Sequence, residues 1–126
     1  MTTFYPTLTY EDAPAAIDFL CDAFGFERQV VYEGDSERPI AHAELRFGDG
    51  LVMVGSKRDD EYATGRTGIY VAVDDLDAHH ARARDAGATI VREPFDTDYG
   101  SRDYAAEDPE GNVWAFGTYR PEAETS

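Results

Sequence analysis

Between positions 13 and 24 the apolar residues Ile17, Leu20, Cys21 and Phe24 recur at i, i+3, i+4 and i+7, which is one face of an α-helix. Asp12 stands where an N-cap belongs, Pro14 falls in the first turn, and Gly25 supplies the left-handed residue that stops a helix. A second helix is predicted between Asp74 as cap and Gly87 as stop, with Asp77 in the first turn where the helix dipole favours a carboxylate. Elsewhere the pattern shortens to runs with the period of a strand, at about 4–10, 28–32, 41–47, 51–55, 69–73, 89–92, 102–106 and 113–119. Gly48-Asp49-Gly50 and Glu110-Gly111-Asn112 read as turns before the last strand of each set.

The two sets are copies of one unit. Asp12 maps on Asp74, an offset of 62 (74 − 12), and the same offset carries Gly25 onto Gly87, Gly55 onto Gly117 and the strand at 51–54 onto 113–116. Each copy reads β-α-β-β-β, which makes the fold α+β. A single domain over 1–126 is expected, with repeat one at about 4–55 and repeat two at about 67–119.

Composition narrows the function. Hydrophobic residues form 42% of the 126, enough for a core, and a net charge of −15 repels phosphate backbones and sets nucleic acid aside as a partner. No run of 18 apolar residues occurs and the first residues lack a basic, apolar leader, so a cytoplasmic protein with no membrane contact is expected. The lone Cys21 cannot form an internal disulfide and reads as a core residue. The single lysine, Lys57, lies in a polar loop and argues against Schiff-base chemistry.

The tandem repeat, with Asp108-Pro109-Glu110-Gly111-Asn112-Val113-Trp114 opening the last strand, resembles the vicinal oxygen chelate superfamily, which includes glyoxalase I, extradiol dioxygenases, and fosfomycin- and bleomycin-resistance proteins. Positions 41–49 and 99–104 are most similar to its glyoxalase/bleomycin-resistance branch with PhnB-like proteins. The resemblance implies two curved mixed sheets around a shared cleft, and a homodimer. Metal-dependent members place four ligands at positions that match, or lie beside, Tyr5, Met53, Gly68 and Ala115 here. None of these is a histidine or carboxylate, so no divalent metal or other cofactor is expected.

Alternation in the third strand sets Ala43, Leu45 and Phe47 toward the helix and His42, Glu44 and Arg46 on the opposite face. The offset of 62 places Tyr104 in the position of His42, with Arg102 two residues before it. Tyr5, Phe95, Tyr99 and Tyr104 are expected in the cleft wall, the loop at 92–100 being long enough to fold over it. The candidate ligand-binding set is therefore Tyr5, His42, Glu44, Tyr99, Arg102 and Tyr104. His79 takes the place of core Ile17 and His80 that of exposed Asp18, while Trp114 reads as core. Two functions follow from the resemblance: a metal-free protein that sequesters a small molecule, planar and neutral or cationic, or a metal-dependent lyase, isomerase or dioxygenase with a displaced site on His42 and Glu44. A vestigial cleft in an interaction protein is a third.

Overall fold

The first helix forms where its periodicity predicts. In the computed structural model, which describes residues 4–60 and 65–121, α1 spans Ala13–Phe24, and the Asp12 carboxylate accepts from the Ala15 N–H at 3.1 Å. Gly25 ends it at φ 86°, where a side chain would be strained. The second helix, α2, spans Leu76–Asp85 and is capped by Asp75 rather than Asp74, accepting from the Ala78 N–H at 3.1 Å. That displacement of one residue turns a different face of α2 inward: Leu76, His80 and Ala83 are buried. His80, expected at the surface, thus matches Ile17 at an offset of 63 (80 − 17).

The strands are β1 (Thr7–Tyr10), β2 (Glu27–Glu33), β3 (Ile40–Phe47), β4 (Gly50–Ser56), β5 (Gly68–Ala72), β6 (Thr89–Asp96), β7 (Arg102–Glu107) and β8 (Val113–Gly117). They form two four-stranded mixed sheets of like topology, β1-β4-β3-β2 and β5-β8-β7-β6, in which only the β1–β4 and β5–β8 pairs are parallel. The sheets remain open rather than curling closed. Residues 93–96, expected in a covering loop, belong to β6. This strand lies at a sheet edge, where Pro94 forfeits little ladder hydrogen bonding, and the pairing is irregular between Arg92 and Phe95.

One side of each sheet packs into a common core with both helices. Leu8, Tyr10, Leu45 and Val54 from the first sheet and Tyr104, Ala106, Trp114 and Phe116 from the second are all buried there, as are Cys21 and Phe24 of α1. Phe24 joins the halves, its ring centroid 5.6 Å from Trp114 and 4.9 Å from Phe116.

A polar clamp makes the second joint. The buried Asp108 carboxylate accepts from the Tyr10 hydroxyl at 2.6 Å, the Trp114 indole N–H at 3.0 Å, the Asn112 amide at 2.9 Å and the Asn112 and Glu110 backbone N–H groups at 3.1 and 3.0 Å. Glu110 then accepts from the Glu11 and Asp12 N–H groups at 2.8 and 2.9 Å, beside the start of α1. The turn of the second repeat thus holds the beginning of the first repeat's helix, and no buried side-chain polar atom among the described residues lacks a partner.

The repeats are not in one constant register. Leu45 pairs with Val52, seven positions on (52 − 45), whereas Ala106 pairs with Trp114, eight positions on (114 − 106). The β7–β8 connection is longer by one residue, so β3 maps on β7 at an offset of 61 rather than 62. A slip of one residue exchanges the two faces of a strand. His42 is therefore matched by Asp103, and Tyr104 faces the core.

Candidate functional site: a groove between the repeats

The six candidate residues do not converge. His42 and Glu44 stand on the side of the first sheet turned away from the core, with His42 Nε2 and Glu44 Oε2 at 3.0 Å. That contact, followed by a bond from the Gln29 amide at 3.2 Å, holds the Glu44 carboxyl below its usual range. The Tyr32 ring stacks on His42 at 6.2 Å. Arg102 and Tyr104 lie on the core side of the second sheet. Arg102 is paired with Asp77 at 3.0 Å and Asp96 at 3.1 Å, so its charge is already answered, and these bonds push its pKa up. Tyr104 is 1% exposed and unable to wall an open cleft. Tyr99 is exposed, its ring edge-on to Tyr119 at 5.6 Å, and Tyr5 is partly exposed just ahead of β1.

The cavity lies elsewhere. A groove of about 600 Å³ opens between the start of β4, the strand β5 and the first turns of α2, within the range of small-molecule sites. Its apolar wall comes from both repeats, with Phe26, Phe47 and Val52 on one side and Ile69, Val71 and Val73 on the other. Its polar side chains are few: Asp74 and Asp75 just before α2, His79 and Arg82 on it, with Asp49, Tyr70 and Arg120. Asp74 receives Arg120 at 2.9 Å, and Asp75 is occupied as the helix cap.

His79 is held at both nitrogens. Its Nε2 lies 2.7 Å from the Phe24 carbonyl, which can only accept, so Nε2 carries the proton and Nδ1 accepts from the Tyr104 hydroxyl at 2.6 Å. Burial lowers the His79 pKa, the Phe24 bond opposes this, and the charge of Arg82 lowers it further. Burial also raises the pKa of the Tyr104 hydroxyl. The ring of His79 packs 4.3 Å from that of Phe116, giving the groove a rigid, neutral aromatic floor at this point. Next to it, His80 is 8% exposed, edge-on to Tyr104 at 5.1 Å and bonded to Glu93 at 3.0 Å.

Sequence reasoning anticipated His79 as packed and satisfied but missed the groove and Arg82. The spacing of His79 and Arg82, i and i+3 on one helix, was available as a signal. The partners of Arg82 lie about sixty residues earlier, on α1, where no local pattern reveals them.

The positions the resemblance indicates for a metal, Tyr5, Met53, Gly68 and Ala115, carry neither an imidazole nor a carboxylate. Met53 and Ala115 stand at mid-strand with a thioether and a methyl group, and Gly68 offers no side chain. Among the described residues, no group of three or more histidine, cysteine, aspartate or glutamate side chains is placed to hold an ion. Nor is any described helix long and apolar enough to cross a membrane.

Residues 4–116 match the family model of the Glyoxalase/Bleomycin resistance protein/Dioxygenase superfamily. An uncharacterized protein of Mycobacterium tuberculosis is 34% identical over 122 residues, covering 89% of this chain and 71% of its own length. Among solved structures, TioX from Micromonospora sp. ML1 aligns with a TM-score of 0.80 at 30% identity, over 99% of this chain and 100% of that one. Lactoylglutathione lyase from Agrobacterium tumefaciens shares the fold at a TM-score of 0.71 and 19% identity, over 92% of each chain. With the paired β-α-β-β-β topology and a family match over nearly its full length, the chain belongs to the glyoxalase/bleomycin resistance protein/dioxygenase superfamily.

Proposed function

We propose that this protein binds a small, flat, largely apolar molecule without metal, in the manner of the ligand-sequestering bleomycin-resistance proteins, and that the groove between the repeats receives it. The observation that carries this reading is the groove itself: about 600 Å³, walled by aromatic and branched side chains with a few fixed polar groups. The absence of an oxygen and nitrogen donor set at Tyr5, Met53, Gly68 and Ala115 favours binding over metal-assisted chemistry.

Homodimerisation is part of the same proposal. Tyr32, Tyr70 and Val113 are exposed large apolar residues on the faces of the two sheets turned away from the core. A second copy would cover them and enclose the His42–Glu44 pair.

Protein treated with a chelator and titrated with N-phenyl-1-naphthylamine, a neutral fluorescent probe, tests the binding site. Saturable binding is expected, and Ala78→Trp, which places an indole over the groove from an exposed helical position, weakens it at least tenfold. Binding that requires added metal, or that ignores Ala78→Trp, contradicts the proposal.

A further inference from the structure

Arg82 is a cation with an unusual set of partners in a protein of net charge −15. Its Nε donates to the Asp22 carbonyl and its Nη2 to the Cys21 carbonyl, both at 3.2 Å. These are carbonyls of the last turn of α1, whose negative dipole end favours a cation. The guanidinium is therefore held in place without a carboxylate partner. Nη1 lies 3.4 Å from where a Cβ on Gly25 would stand, so the absence of a side chain there leaves room for it at the groove wall. Of five N–H donors, two are used on the α1 carbonyls, and the two on Nη1 have no hydrogen-bond acceptor among the described residues.

Two of the groove's acidic side chains, Asp74 and Asp75, are engaged elsewhere. Asp74 is matched by Arg120, and Asp75 caps α2. Asp75 and Arg82 are seven positions apart, which at 1.5 Å per residue is about 10 Å along the helix axis.

We infer that the groove takes an anion: a flat apolar body bearing one oxyanion head of the carboxylate or sulfonate class, with the head on Arg82 and the body against Phe26, Phe47 and Val71. A planar fork of donors matches the two oxygens of such a head. This inference rests on the groove being the binding site, and it replaces the expectation of a cationic ligand. That expectation drew on overall acidity, whereas Arg82 sets a cation at the groove wall. Asp22 and Cys21 accept only through their backbone carbonyls, so the arrangement is not visible in side-chain identities.

Two probes with one aromatic skeleton decide it: 1-anilinonaphthalene-8-sulfonate, which carries the anion, and N-phenyl-1-naphthylamine, which lacks it. Wild-type protein is expected to bind the sulfonate at least tenfold more tightly, and Arg82→Gln to abolish the preference while leaving the neutral probe's affinity within twofold. Retained neutral binding also reports that the variant is folded. Equal binding of both probes by wild type, or an unchanged preference in Arg82→Gln, overturns the anion assignment and leaves the groove standing. Failure of both probes to bind wild type overturns the groove reading itself, and the anion assignment with it.

Discussion

His79 connects folding to pH through one proton. In the unfolded chain an imidazole titrates near 6.5, and in the native state burial holds this one to a lower value. Between those two values the unfolded state binds more protons, so stability falls as pH drops through about 6.5 and levels off below the native-state titration. Each unit of lowering is worth about 1.4 kcal/mol. Urea unfolding between pH 7.5 and 5 should show this loss, and His79→Gln should flatten that part of the profile, since a glutamine amide does not titrate. An unaltered slope in the variant would assign the acid sensitivity to another group. Cys21 is legible at the same scale: its position on the apolar face of α1 predicted burial, it is 8% exposed, and burial raises its thiol pKa. It should react with a disulfide reagent at neutral pH far more slowly in folded than in urea-unfolded protein. Equal rates would contradict its placement. The role of Arg82 was not legible, because its acceptors are main-chain oxygens brought to it only by the packing of α1 on α2.

The elements were legible where local chemistry decides them. Residues Ala13–Phe24 carry a cap, an apolar stripe and a terminal glycine that agree with one another, and α1 has those bounds. The second repeat was less readable, because Asp74 and Asp75 are both competent caps and the sequence does not say which one acts. In β7, Tyr104, Ala105 and Ala106 present apolar residues on both faces, so nothing local exposes the one-residue slip introduced by the longer turn at 108–112. That turn is itself a structural element with a measurable cost. Asp108→Ala leaves the Tyr10 hydroxyl and the Trp114 indole N–H buried without their acceptor, at about 1–3 kcal/mol each. Glu110→Gln keeps an acceptor near the start of α1 but loses its charge, and should cost under about 1 kcal/mol. Chemical denaturation that ranks the two variants in the opposite order would refute the clamp.

At the scale of the molecule, two sheets of four strands share one core, and each also presents a face turned away from it. The proposed homodimer would cover apolar residues of those faces, while a charge of −15 per chain opposes association at low salt. Sedimentation should therefore show dimers whose stability increases with ionic strength, and a monomer at both low and high salt would contradict the pairing. The central claim is more specific: a small molecule is held between the repeats without metal. Amide chemical-shift mapping of chelator-treated protein, titrated with 1-anilinonaphthalene-8-sulfonate, tests it most directly. Saturable shifts are expected, concentrated at 25–26, 47–52, 69–75 and 78–82 and unchanged on adding zinc or nickel. Shifts confined to the strand faces around His42 and Ala115, or shifts that develop only once metal is present, would contradict it.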